Sequence, residues 1–67
     1  MSIRDTAEYK NMTPYVATGI AEGFVAGTEK EQIAAWQFLH DTGLAYQLQG
    51  WFGRIASNLI DNGLIEA

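Results

Sequence analysis

The sequence predicts an all-α fold, a compact bundle of three main helices in a single small domain spanning residues 1–67. Three observations lead there. Helix start and stop residues divide the chain into three segments of helical length. Apolar residues within each segment recur at helical spacing, and no stretch alternates apolar and polar residues long enough to form a half-buried strand. With 67 residues and no cysteine, the chain is one domain at most and has no disulfide to brace a small core.

The segments follow in order. Thr13 sets a capping hydroxyl directly before Pro14, whose missing N–H costs nothing at the first helical position. The first main helix is expected to run from Pro14 to about Ala26 and to stop at Gly27. Thr28 and Glu31 have the spacing of a capping box and open a second helix, which ends at about residue 42 where Thr42-Gly43 supplies the stop. A third is expected over 44–62. Gly63 suits the left-handed position past its end, with Leu64 folding back on Leu59. Ahead of these, Met1 to Met12 mixes charges with Ile3, Ala7 and Tyr9 and is expected to form at most a short, frayed helix from Ser2.

Helical wheels assign the faces. Val16, Ala17, Ile20, Ala21, Phe24 and Val25 share one half of the first helix, flanked by a ridge of Gly19, Gly23 and Gly27 that suits close approach of another helix, in the same chain or in a second copy. Trp36 joins Ile33, Ala35, Leu39 and His40 on the core face of the second helix, with His40 as a structural histidine. In the third, Leu44, Ala45, Leu48, Trp51, Phe52, Ile55, Ala56, Leu59 and Ile60 cover about half the circumference, extended by Tyr46. Gly50 and Gly53 mark a close-packed surface or a kink within it. So wide an apolar arc in so small a chain is expected to exceed what one copy can cover, and uncovered apolar area marks an interface.

Composition excludes several function classes. Eight acids against four bases give a net charge of −4, with the acids spread along the chain. Such a chain cannot neutralise a run of phosphates, so no direct nucleic-acid contact is expected. The spacing of the second and third helices resembles a helix-turn-helix, but the would-be recognition helix offers glutamines and no early basic residue. Pro14 to Ala26 falls short of the ~20 apolar residues that span a bilayer and contains Glu22, so no membrane association is expected. A single histidine and no cysteine leave no cofactor or metal site and no nucleophile–base pair, so neither catalytic residues nor an enzymatic activity are expected.

What remains is a set of candidate partner-binding residues: Phe38, Gln47, Trp51, Arg54 and Asn58. Phe38 falls on the far side of the second helix with Ala34 and Glu31, as an exposed aromatic anchor would. Arg54 has no acid three or four residues away. Asp41 ends a helix, where the dipole disfavours an acid. An Asp41–Arg54 ion pair across the elbow is therefore expected, with Glu22 as the other acid available to Arg54.

The stretch from Trp36 to Arg54 resembles a family of small bacteriophage and prophage proteins. The shared residues are Trp36, Leu39, Asp41-Thr42-Gly43, Leu48-Gln49-Gly50, Gly53-Arg54, Ala56 and Leu59-Ile60; Tyr46 departs from the family's tryptophan. The resemblance covers the C-terminal half and brings no activity with it. It implies a phage origin and a place in the cytoplasm of the host cell. Small acidic phage proteins often bind and block a host machine, such as a CRISPR or restriction complex or a polymerase. The expected function is therefore non-enzymatic binding of a host protein or protein complex that inhibits such a defence system. The alternatives are a self-assembling homo-oligomer and a small-ligand sponge with a pocket between subunits, contacted by Gln47 and Arg54.

Overall fold

The computed structural model describes residues 2–67 and contains four α-helices, two 3-10 turns and, among those residues, no strand. The helices are α1 (Ala7–Lys10), α2 (Pro14–Glu22), α3 (Glu29–Asp41) and α4 (Gly50–Asp61); the 3-10 turns cover Ile3–Asp5 and Leu44–Tyr46. Every other element packs on α3, and its contact with α2 is the most extensive. The radius of gyration is 10.5 Å, against about 11 Å expected for a compact chain of this length.

Caps account for the starts. Thr13 accepts from the Val16 N–H ahead of Pro14. Thr28 and Glu31 form both halves of the capping box that opens α3. The stops share one device. Gly23, Gly43 and Gly63, evenly spaced along the chain, all have positive φ, which glycine adopts without the penalty a Cβ brings. Past α4, Leu64 donates to the Leu59 carbonyl at 2.9 Å and Gly63 to Ile60 at 3.0 Å, the Schellman pattern expected there. The same pattern ends α2, where Phe24 donates to Gly19 at 2.9 Å and Gly23 to Ile20 at 3.1 Å. At Gly43 only the inner bond forms, to His40, and the Thr42 hydroxyl covers the Phe38 carbonyl.

The core comprises Ala17 and Ile20 from α2, Ala35, Trp36 and Leu39 from α3, Ala45, Phe52 and Ala56 from the turn and α4, and Ile65 from the tail. A fully buried alanine stands on each of α2, α3 and α4. Trp36 lies 5.8 Å from Phe52 and edge-on to Trp51 at 6.3 Å, while Trp51 stacks on Phe52 at 3.9 Å.

Several expectations are corrected. The first main helix ends at Glu22, not Ala26, because Gly23 takes the left-handed stop ahead of Gly27. Within the chain the glycine ridge does not serve as a helix-crossing surface. A Cβ on Gly19 would fall 2.6 Å from Val25 Cγ2, so this glycine makes room for the chain's own return, while Gly23 faces open space. The single third helix over 44–62 is broken. The chain takes a 3-10 turn, passes through extended Gln49 and starts again at Gly50. A Cβ on Gly53 would meet Tyr46 at 3.4 Å, so α4 folds back on the turn that precedes it. The short N-terminal helix is present as α1, preceded by a 3-10 turn. Ser2 and Asp5 form a capping box, Thr6 caps α1, and both elements pack on α3; Met1 lies outside the described residues.

Candidate functional site

Two features stand apart from the core: a polar clasp that joins both ends of the chain to α3, and an apolar groove along α2.

Asp41 is the centre of the clasp. Arg4 forks onto it, Nε to Oδ2 at 2.8 Å and Nη2 to Oδ1 at 2.7 Å. The Tyr9 hydroxyl donates to Oδ2 at 2.7 Å and the Gln37 amide to Oδ1 at 3.0 Å. The Arg4 guanidinium holds the Asp41 carboxyl down at about 2, with partial burial opposing and the Tyr9 and Gln37 donors assisting. Arg4 is shifted further up by the same hydrogen bond. Tyr9 is raised by burial first and by its bond to Asp41 second.

Gln37, fully buried on α3, carries the clasp to the C-terminal tail. Its amide nitrogen also donates to the Glu66 carbonyl at 2.9 Å, and its amide oxygen accepts the Glu66 N–H at 2.7 Å. Arg4 also pairs with the Glu66 carboxylate at 3.4 Å, and the Ser2 hydroxyl donates to it as well. No buried side-chain nitrogen or oxygen among the described residues lacks a partner. A network so paired stabilises the fold.

The expected Asp41–Arg54 pair is therefore absent. Asp41 does need a counter-charge at its helix end, but the oxygens are filled by Arg4 from the opposite end of the sequence. Arg54 is exposed and makes no ion pair among the described residues, and Glu22 does not partner it either.

The partner-binding candidates separate. Phe38 is not an exposed anchor: the N-terminal segment crosses α3 and sets Tyr9 against it, ring centroids 6.2 Å apart. Ala34, placed on the same outer face, is buried for that reason. Trp51 is half-buried in the aromatic cluster, its indole N–H donating to Gln49 at 3.1 Å. Gln47, Arg54 and Asn58 are exposed. His40 meets the Tyr46 hydroxyl through Nδ1. Among the described residues no group of three His, Cys, Asp or Glu could hold a metal ion, and no helix is long and apolar enough to cross a membrane.

Exposed apolar residues lie in the C-terminal half, as expected, and also beside α2, where the helical wheel did not expect them. In the C-terminal half, Phe52 and Ala56 are buried, Trp51, Leu59 and Ile60 half-buried, and Tyr46, Leu48, Ile55 and Leu64 left outside. The most exposed large apolar residues are Tyr15 and Phe24, each at 84%. They flank a groove of about 450 Å³. Pro14, Tyr15, Thr18 and Gly19 on α2 form one wall, Glu22 its end, and Phe24 with Val25 the returning wall. Neither Gln47 nor Arg54 touches it, so the contacts expected for a ligand sponge are not at this groove. The wheel missed Phe24 by carrying the helix past Gly23.

The three helix stops sharpen the contrast. Each glycine is followed by two apolar residues that turn back toward the helix. After Gly43, Leu44 is half-buried and Ala45 buried; after Gly63, Leu64 is exposed but Ile65 is buried. After Gly23, both Phe24 and Val25 remain outside. At this stop Phe24 is left far more exposed than any other returning residue, while Val25 is seated beside Gly19.

A family model described as a domain of unknown function (DUF7417) matches residues 26–67, the part that holds α3, the turn, α4 and the tail. No curated protein and no solved structure matches the chain.

Proposed function

The chain belongs to DUF7417, a family of domains of unknown function, and on that footing we propose that it is a non-enzymatic binding protein whose α2 groove docks on another protein. The observation that carries this reading is the pair Tyr15 and Phe24, each 84% exposed on either side of one apolar groove. Exposed aromatics cost solvation and add nothing to the core, whereas aromatic side chains dominate the energy of protein interfaces. Elsewhere the buried polar groups are paired within the chain and Ile65 of the tail joins the core. In keeping with the resemblance of Trp36 to Arg54 to phage proteins, the proposed partner is a host protein or complex in the cytoplasm, such as a CRISPR or other defence assembly, and the proposed effect is inhibition.

A photo-cross-linking amino acid at position 15, in cells that contain the target, tests this. The expected result is one predominant cross-linked protein, lost on Phe24→Ser and not obtained from position 57 on α4. Cross-links of the same kind from both positions, unchanged by Phe24→Ser, would overturn it.

Self-association is the second reading, favoured by Tyr46, Leu48 and Ile55, which leave a smaller apolar strip along the turn and α4. It predicts a dimer in light scattering that Ile55→Ser dissociates and Phe24→Ser leaves intact.

A further inference from the structure

The groove is chemically one-sided. Its single charged wall residue, Glu22, is exposed and in no ion pair among the described residues. Glu22 is the last residue of α2, and the C-terminal end of a helix carries a partial negative charge of its own. Carboxylate and helix end therefore add instead of cancelling. The faces of Tyr15 and Phe24 are negative as well, because an aromatic ring carries its electron density above and below its plane. A carboxylate and a negative helix end thus lie at one end of a groove that also holds two aromatic side chains, and whose other walls, Pro14 and Val25 among them, are apolar.

Each class of occupant meets this differently. A purely apolar segment would desolvate Glu22 without compensation. An acidic one would be repelled. A guanidinium on its aliphatic stem satisfies every wall at once: it stacks on aromatic faces, forks onto a carboxylate and lays its methylenes along apolar surface. Resting on the partner-binding reading above, we infer that the groove receives an arginine side chain of the protein partner, between Tyr15 and Phe24 and against Glu22, with a neighbouring apolar residue on Val25.

Titration of the ¹⁵N-labelled full chain with Nα-acetyl-arginine amide, and in parallel with its neutral isostere Nα-acetyl-citrulline amide, tests the inference. The arginine compound is expected to shift the amides of Thr18, Gly19, Glu22 and Phe24, with an affinity about fivefold above that of the citrulline compound, as a ~1 kcal/mol cation–π and ion-pair contribution implies. Glu22→Gln is expected to narrow the gap between the two affinities, leaving only the cation–π share, without changing the melting temperature. Equal affinities in the unsubstituted chain, or shifts centred away from the groove, would overturn the arginine assignment. Cross-linking from position 15 decides the partner reading separately, so either can fail alone.

Discussion

Replacing Gln37 by methionine isolates the energy of the clasp. The two side chains have similar length and volume, so Gln37→Met removes hydrogen bonds without opening a cavity. Three are lost: one to the Asp41 carboxylate and two to the Glu66 backbone. A neutral bond contributes roughly 1 kcal/mol net and one to a charged group roughly 2 kcal/mol. Re-solvation of a loosened tail and the apolar gain of methionine return part of the sum, leaving a cost of about 3 kcal/mol. For a domain of this size, 1 kcal/mol moves the melting temperature by about 4–8 °C, so the expected fall is about 12–24 °C. The assay is thermal denaturation followed by far-ultraviolet circular dichroism, with amide exchange at Glu66 read by NMR. Faster exchange at Glu66 is expected well below the melting transition. A fall of less than about 4 °C with unaltered Glu66 exchange would refute the assignment of the clasp as a main restraint on the two termini.

Other outcomes follow from the same geometry. Asp41 has its carboxyl lowered to about 2 in the folded chain from an ordinary value of 3.8; its contribution is therefore fully present above about pH 4 and lost as pH falls towards 2. Urea titrations across that window should show the wild type losing more stability than Asp41→Asn. Gly63→Ala forces a side chain onto a φ of +74° and should cost about 1–2 kcal/mol, read as a lower urea midpoint at unchanged slope. Leu39→Ala empties a fully buried position in the last turn of α3; its cost of about 2–5 kcal/mol is comparable to the whole stability of so short a chain, and loss of cooperative melting is expected. Tyr15→Ser with Phe24→Ser should leave the melting temperature within about 3 °C, since surface changes stay within about 0.5 kcal/mol.

Features encoded within a few neighbouring residues could be read from the sequence. Thr13-Pro14, the Thr28–Glu31 box and the Gly63 stop all specify backbone bonds inside one turn, and all form. Gly23 was readable by the same rule, since Ile20-Ala21-Glu22-Gly23-Phe24-Val25 repeats the pattern of Ile60-Asp61-Asn62-Gly63-Leu64-Ile65. The wheel hid it, because Phe24 and Val25 also fit a helix that continues. Partners set by tertiary packing could not be read. Asp41 needs a cation at its helix end, but nothing local favours Arg4 over Arg54. Gln37 stands one turn before Asp41, a weak local hint, and nothing in its surroundings announces that the tail will return to it. The break before Gly50 likewise depends on Gly53 meeting Tyr46, a contact that exists only once α4 has folded back. Tyr15 carries no sequence signal at all, because its importance lies in what fails to cover it.

On the proposed reading the α2 groove, and not α4, is the face a partner occupies. Hydroxyl-radical footprinting tests it most directly, comparing the purified chain with the chain recovered from target cells together with its bound protein. Protection of Tyr15 and Phe24, with Tyr46 and Ile55 as reactive as in the free chain, is the predicted result. Protection of Tyr46 and Ile55, with Tyr15 and Phe24 still fully reactive, would contradict it.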